Sequence, residues 1–152
     1  HKIQYNRDDI NQLFDAFLDL NYFNEIPRVL SSLNGKGFDI GILSNGNDSM
    51  LMPLVDNSKI SDYINTVISV DEIKQYKPSP ASYALILEYY KMTREDILFV
   101  SSNSWDVTGA ANFGFDTVWV NRKGEQYDDN GQSPTITVNN LNEMAKWLEM
   151  NK

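Results

Sequence analysis

The sequence contains no cysteine. Disulfide bonds, thiolate catalysis and cysteine-ligated zinc are therefore excluded. The sequence also has no apolar run approaching the roughly 18 residues of a membrane-spanning helix, and its first residues are not typical of a signal peptide. We therefore expect a cytoplasmic protein that has no membrane partner.

Basic residues are scarce relative to acidic ones. The sequence has 13 Lys and Arg residues against 21 Asp and Glu residues, which gives a net charge of −8 and a pI near 4.5. A nucleic-acid-binding protein needs a basic face that displaces counterions from phosphate, so we expect no nucleic-acid partner. The length of 152 residues, 41% of them hydrophobic, indicates one globular domain that can bury a core.

Strand-like and helix-like patterns alternate along the chain. Short apolar or β-branched runs predict strands at 38–43, 66–70, 97–100, 117–120 and 135–138. Apolar residues at helical spacing predict helices at 10–18, 26–33, 51–55, 79–90, 106–113 and 141–148. The alternation predicts an α/β fold with a doubly wound, mainly parallel, Rossmann-like sheet. Ligands of such folds bind outside the carboxyl ends of the strands.

Several predicted helices begin with capping signals. The candidates are Asn47 or Asp48, Ser79 with Pro80, and Thr93 with Asp96, which begins a short turn. Asp8 and Asp9 form an acidic first turn of the first predicted helix.

Polar clusters follow two of the predicted strands and precede one helix. Ser44-Asn45-Gly46 can bind an anion at a helix N-terminus, or can serve only as a turn and a cap. Lys77 enters from a stiff X-Pro segment just before a helix that carries Tyr83, and it is either a site residue or a solvated loop lysine.

The third cluster runs from Ser101 through Trp105 and Asp106. A carboxylate in a first helical turn can simply stabilise the helix dipole. The small residues at 109–111 would let this helix press closely on the sheet and direct Asp106 toward the crevice. Loops at strand ends carry many functional sites, so both interpretations stay open for this cluster alone.

Together the clusters resemble three motifs of the haloacid dehalogenase superfamily, in the right order and at typical spacings. The detail is similar to the L-2-haloacid dehalogenases, and the resemblance covers essentially the whole chain. The strings that carry it are Ile42-Leu43-Ser44-Asn45-Gly46, Tyr76-Lys77-Pro78 with Tyr83, Phe99-Val100-Ser101-Ser102-Asn103-Ser104-Trp105-Asp106, Phe113-Gly114-Phe115 and Trp119-Val120-Asn121-Arg122.

The resemblance implies hydrolytic dehalogenation of a small 2-haloacid through an aspartyl-ester intermediate. Ser44 and Asn45 would bind the substrate carboxylate and line the halide side, and Lys77 would pair with the nucleophilic aspartate. Tyr83 and Trp105 would line or buttress the pocket. The residues expected to hold Lys77 and position the hydrolytic water are Ser101, Asn103 and Asp106.

Ser102 distinguishes the dehalogenases from the phosphatases of the superfamily. The resemblance implies that phosphatases hold Mg²⁺ through an aspartate four residues before the position of Asp106, where this chain has Ser102. A neutral hydroxyl is a poor Mg²⁺ ligand, so we expect neither a metal nor another cofactor. A metal-dependent phosphatase and a catalytically inactive binding module remain the alternatives. A flavodoxin-like domain is disfavoured because no loop offers a cofactor-sized glycine-rich turn.

The first motif of the family, an apolar strand followed by Asp-x-Tyr-Gly-Thr, does not occur in the sequence. Val67-Ile68-Ser69-Val70-Asp71 lacks the Gly-Thr turn, so we interpret Asp71 as a loop residue. We expect a fragment in which residues 1–20 are the last helix of a cap domain and 21–152 an incomplete core. The absent strand would be the central one, so the sheet needs a partner, either a homodimer or a complementing N-terminal segment.

Overall fold

The computed structural model of the chain describes residues 4–127 and 131–151. Within these ranges the helices are α1 (Arg7–Leu18), α2 (Ile26–Gly35), α3 (Asp48–Asn57), α4 (Pro80–Tyr90), α5 (Ser104–Phe113) and α6 (Leu141–Met150). The strands are β1 (Gly41–Ser44), β2 (Thr66–Ser69), β3 (Leu98–Ser101), β4 (Asp116–Val120) and β5 (Ile136–Val138). In this described part, no helix has both the length and the apolar character needed to cross a membrane.

The strands form two parallel sheets. β1 pairs with β2, with Ser44 opposite Ser69. β4 lies between β3 and β5, with Ser101 of β3 opposite Trp119. Among the described residues β1 and β3 do not pair with each other, so each is paired on one side only. The predicted α/β fold with a mainly parallel sheet is confirmed, and the sheet is partial.

Helices cover both faces of the sheet, as the alternation of side chains in β3 illustrates. Phe99 belongs to a core built with α4 and α5, whose buried members include Tyr83, Ile86 and Ala110. The preceding Leu98 packs against the opposite core, formed with α2 and α6 around Val29, Leu33, Val118 and Met144. The fold is therefore doubly wound.

The predicted start of the first strand is wrong by three residues. The predicted strand 38–43 begins only at Gly41, because the backbone of Ile40 bonds to Asn65 instead of to a neighbouring strand. The Ile40 N–H donates to Asn65 Oδ1 at 2.8 Å, and the Asn65 N–H donates to the Ile40 carbonyl at 2.7 Å.

Other strand ends differ from the predicted ends by one residue, because a side chain or a turn forms the hydrogen bonds of the backbone groups there. The predicted strand 66–70 ends at Ser69, whose hydroxyl accepts from the Asp71 N–H and begins a 3-10 turn. The predicted strand 97–100 lies at Leu98–Ser101, because the Ile97 N–H donates to the Arg94 carbonyl of the preceding turn.

The last two strands show the same effect. The predicted strand 117–120 begins one residue earlier, at Asp116, and the predicted strand 135–138 begins one residue later, at Ile136. The Thr117 and Thr135 hydroxyls each accept the other residue's backbone N–H, at 3.3 and 3.0 Å. This side-chain pairing replaces a rung of the β-ladder at that point.

The predicted capping signals are found with one exception. Asn47, not Asp48, caps α3 by accepting from the Met50 N–H at 3.1 Å. Thr93 and Asp96 form a capping box. Ser79 precedes Pro80 at the start of α4, as predicted, but its side chain makes no cap hydrogen bond.

Helix α1 begins with a capping box and leaves its apolar stripe uncovered. Asn6 accepts from the N–H groups of Asp8 and Asp9, and the Asp9 carboxylate accepts from the Asn6 N–H. None of the helical residues is buried, and Leu13 is 72% exposed. Packing against α3 and a 2.9 Å bond from Asn57 Nδ2 to the Leu18 carbonyl hold the helix to the rest of the chain.

The segment between α1 and α2 is fixed by Arg122, which follows β4. Its guanidinium lies 2.6 Å from Glu25 Oε1 and stacks over the Phe23 ring at 3.8 Å. Burial acts to raise the pKa of Glu25, but the backbone N–H groups of Glu25 and Leu141, together with Arg122, hold that pKa below its ordinary value. The carboxylate therefore ties α2, β4 and the start of α6 together.

Gly41 lets β1 approach α4 closely. A Cβ atom on Gly41 would lie 2.4 Å from the Tyr90 hydroxyl oxygen and 3.2 Å from Tyr90 Cζ. The hydroxyl is buried and has no hydrogen-bond partner within the described ranges.

We predict that Gly41→Ala lowers the free energy of unfolding by about 1–3 kcal/mol through overpacking. Tyr90→Phe should be neutral or stabilising, because it removes an unpaired buried hydroxyl. In the Tyr90→Phe background Gly41→Ala should cost less, since the closest clash is gone. Urea unfolding of the four proteins measures this coupling. Gly35→Ala, where a Cβ meets nothing within 4 Å, is the control. Equal Gly41→Ala penalties in both backgrounds would contradict the prediction.

Candidate active site

Three turns bring polar side chains together at the carboxyl ends of the strands. Ser44-Asn45-Gly46 directly follows β1, and Lys77 lies in the loop between β2 and α4. Asp106 is the third residue of α5, which follows β3. The sequence-predicted residues therefore meet where parallel strands of both sheets end.

The ammonium group of Lys77 joins the two sheets. Its Nζ atom donates to Asp106 Oδ2 at 2.9 Å and to the Leu43 carbonyl oxygen of β1 at 3.0 Å. The Lys77 and Asp106 side chains are only 11% and 3% exposed, so this is a buried ion pair. The Phe99 ring lies 5.7 Å from Nζ and closes one side of the site.

The Asp106 carboxylate accepts from three groups. Besides Lys77, the Ser101 hydroxyl donates to Oδ2 at 3.1 Å and the Tyr83 hydroxyl lies 2.9 Å from Oδ1. Burial, and then the nearby Asp106 charge, raise the pKa of Tyr83 well above its ordinary value. Tyr83 therefore keeps its proton and acts as a donor, and the buried charge of Asp106 is fully compensated.

Gly109 makes room for this arrangement. A Cβ atom on Gly109 would lie 2.5 Å from the Tyr83 hydroxyl oxygen and 2.7 Å from Pro78 Cβ. Helix α5 can therefore pack closely against α4 and the lysine loop. The sequence predicted that the small residues would bring α5 close to the sheet; Ala110 does pack in the core with Phe99 of β3, while Gly109 makes room for α4 and the lysine loop.

Ser44 and Asn45 lie beside Lys77. The Ser44 hydroxyl accepts from the Gly46 N–H at 3.1 Å, which closes the turn. Asn45 Oδ1 accepts from the backbone N–H of Lys77 at 2.9 Å, and Asn45 Nδ2 lies 3.4 Å from the Lys77 carbonyl. The carboxamide thus contacts the lysine backbone, a contact that the sequence did not indicate.

Asn103 and Trp105 lie at the edge of the site. The Asn103 backbone N–H donates to the Ser101 hydroxyl at 3.2 Å, whereas no described contact joins the Asn103 side chain to Lys77. Trp105 is 44% exposed and borders a shallow apolar depression of about 290 Å³, together with Pro78 and Phe113.

Ser102, which the sequence analysis singled out, is exposed and directly follows β3. Its carbonyl oxygen accepts from Trp119 Nε1 at 3.2 Å, which ties the turn after β3 to β4.

A larger depression, of about 410 Å³, lies at the amino end of β4 around Asp116 and Thr117. This depression lies away from Lys77 and Asp106, at the opposite end of the strands. The size of a depression therefore does not identify the candidate site.

We predict that Lys77→Met lowers the free energy of unfolding by about 3–5 kcal/mol, because it leaves Asp106 buried without its counterion. Lys74→Met is the matched control. Lys74 pairs with Asp71 at 2.6 Å but is 70% exposed, so its loss should leave the free energy of unfolding nearly unchanged. Urea denaturation at pH 7 measures both, and losses of equal size would refute the prediction.

Comparison with known proteins gives consistent matches. A family model described as haloacid dehalogenase-like hydrolase matches residues 2–120. The chain is 37% identical over 137 residues to an (S)-2-haloacid dehalogenase of Pseudomonas fluorescens, covering 90% of this chain and 60% of that protein. It is 42% identical over 127 residues to haloacetate dehalogenase H-2 of Moraxella sp. (strain B), covering 84% of this chain and 57% of that protein.

A solved structure agrees with these relatives. The L-2-haloacid dehalogenase of Xanthobacter autotrophicus, with chloropropionic acid covalently bound, superposes with a TM-score of 0.90 at 28% identity. The match covers 97% of this chain and 69% of that one. The chain spans about 60% of the length of the curated relatives it matches.

Proposed function

The chain belongs to the haloacid dehalogenase-like hydrolase family, and we propose that its protein hydrolyses short L-2-haloacids to 2-hydroxyacids. The observation that carries the proposal is the buried Lys77 ammonium, held by Asp106 and the Leu43 carbonyl at the carboxyl ends of the strands. A fixed cation at this place can orient a carboxylate nucleophile and keep it ionised. The names of the similar proteins support the substrate class.

The reaction has two steps. An aspartate carboxylate attacks C2 of the haloacid, so that a C–O bond forms as the carbon–halogen bond breaks and halide leaves. Water then attacks the carbonyl carbon of the aspartyl ester. This step releases the 2-hydroxyacid and regenerates the carboxylate.

Each site residue has a role in this scheme. Lys77 pairs with the nucleophile, and Ser44 and Asn45 lie where the substrate carboxylate and halide bind. Tyr83 and Trp105 buttress and border the pocket. The residues that hold Lys77 and position the hydrolytic water are Ser101, Asn103 and Asp106.

We place the nucleophile on a strand between β1 and β3, in a segment outside this chain. Among the residues that the structure describes, both strands are paired on one side only, and Val100 in the middle of β3 is 38% exposed. Unsatisfied backbone groups cost roughly 1–3 kcal/mol each if buried, so several would exceed the stability of a typical domain, about 5–15 kcal/mol. On this proposal residues 1–20 belong to a helical cap and 21–152 to the core.

The proposed reaction needs no metal, because a carbon halide does not require the phosphate-charge neutralisation that Mg²⁺ supplies. Ser102 supports this, since its neutral hydroxyl stands where the phosphatases of the family have a carboxylate.

We predict that the full-length gene product releases halide from L-2-chloropropionate at the same rate with and without EDTA. Halide release and p-nitrophenyl phosphate hydrolysis should be measured in parallel, each with and without added Mg²⁺. Phosphate-ester hydrolysis that collapses on chelation and returns with Mg²⁺ would place the protein in the phosphatase branch. Absence of both activities in folded protein would indicate a catalytically inactive module.

We predict that the 152-residue chain expressed alone releases no halide from 2-chloropropionate, because its sequence contains no Asp-x-Tyr-Gly-Thr motif. Co-expression of the gene's upstream segment as a separate polypeptide should restore activity. Intact-mass measurement verifies the material, and the same complex carrying Lys77→Met serves as the control. Steady halide release by the chain alone, above the no-enzyme background, would disprove the placement of the nucleophile.

A further inference from the structure

Asn45 makes a two-point contact with one residue. Its Oδ1 atom accepts the backbone N–H of Lys77 at 2.9 Å, and its Nδ2 atom lies 3.4 Å from the Lys77 carbonyl oxygen. The backbone N–H can only donate and the carbonyl can only accept, so the orientation of the carboxamide is fixed. The contact bridges 32 positions of sequence and joins the turn after β1 to the loop before α4.

The other end of Lys77 is attached to the same strand end. Nζ donates to the carbonyl oxygen of Leu43, two residues before Asn45. The Asn45 side chain thus binds the Lys77 backbone to the end of β1. The Leu43 carbonyl binds the Lys77 ammonium group to the same strand end. Asp106 then supplies the counterion from α5, the helix that follows β3 of the other sheet.

A lysine side chain has a flexible four-carbon stem, so its ammonium group keeps a defined place only while the contacts of that group and those of the backbone both hold. The Lys77 backbone lies in a loop rather than in a helix or strand. Within the described residues, the bonds from its backbone N–H and carbonyl go to Asn45 alone. The Asn45 carboxamide therefore fixes the backbone of this loop by hydrogen bonds, as a β-ladder fixes the backbone of a strand.

We propose that Asn45 is a positioning residue, whose side chain sets the place of the Lys77 ammonium group by fixing the Lys77 backbone. This inference rests on the proposed function only for its kinetic consequence. The geometric consequence, that Lys77 loses its protected position without Asn45, stands independently of the reaction.

The chain offers a matched control in Asn47. It lies two residues away, is exposed, and uses its carboxamide to cap α3 at the Met50 N–H. Asn47→Ala removes a side chain of the same type and destabilises the same turn and helix, but it removes no contact to Lys77. Lys74, which is 70% exposed, supplies an internal reference for amine reactivity.

The first experiment measures amine acylation in the full-length gene product by peptide mass spectrometry under native conditions. The ratio of the Lys77 to the Lys74 labelling rate should rise severalfold in Asn45→Ala and stay at the wild-type value in Asn47→Ala. Asn45→Asp keeps the acceptor for the Lys77 N–H and loses the donor, so it should give an intermediate ratio. It also serves as the test variant if Asn45→Ala does not fold. An unchanged ratio in the Asn45 variants, or an equal rise in Asn47→Ala, would overturn the proposal.

The second experiment measures halide release by the same variants. Asn45→Ala should lower kcat about 10–100-fold, as expected for a misplaced catalytic group, in addition to any rise in KM from the loss of its contact with substrate. A raised KM with wild-type kcat would make Asn45 a substrate-binding residue only and overturn the positioning role. If the wild-type protein releases no halide, the proposed function fails, while the labelling ratio still decides the role of Asn45.

Discussion

The ion pair between Lys77 and Asp106 is the interaction on which the arrangement of this protein depends. Two charges taken out of water require close partners, because their desolvation otherwise exceeds the attraction between them. The Leu43 carbonyl supplies a further acceptor for the ammonium group, and Ser101 and Tyr83 supply donors for the carboxylate. These partners come from β1, from β3 and from α4. Satisfying one pair of charges therefore fixes the relative positions of both sheets and a helix.

The same requirement explains why the site lies where it does. Parallel strands all end at one edge, and the loops that follow them can place polar groups there without disturbing the two apolar cores. Within the described part of the chain, the Lys77 ammonium group has one opposite charge in contact, Asp106, on the side of β3. A second carboxylate approaching between β1 and β3 would meet the ammonium group already desolvated and oriented. The stability of the pair and its proposed use in catalysis thus rest on the same atoms.

Much of this could be predicted from the sequence, because element types follow from apolar spacing and from turn residues. The motif resemblance singles out Lys77, Tyr83 and Asp106, and the position of Asp106 just after a strand also points to it. The strand ends were less accurate, since Asn65 and Thr135 divert backbone hydrogen bonds through their side chains. The Leu43 acceptor could not be predicted, because every residue carries a carbonyl and only the fold selects one. The Asn45 contact requires knowing which two loops meet.

The segment from 19 to 25 is held at both of its ends. Asn57 donates a hydrogen bond to the Leu18 carbonyl at the end of α1. Arg122 stacks on Phe23 and forms an ion pair with Glu25 just before α2 begins. A connection attached at two separate places cannot act as a free hinge. Swinging of α1 away from the body of the protein would require loss of the Asn57 hydrogen bond and of the packing against α3, and rotation of α1 about its own axis would disturb that same packing. The exposed apolar stripe therefore keeps the direction in which it faces for as long as both attachments hold.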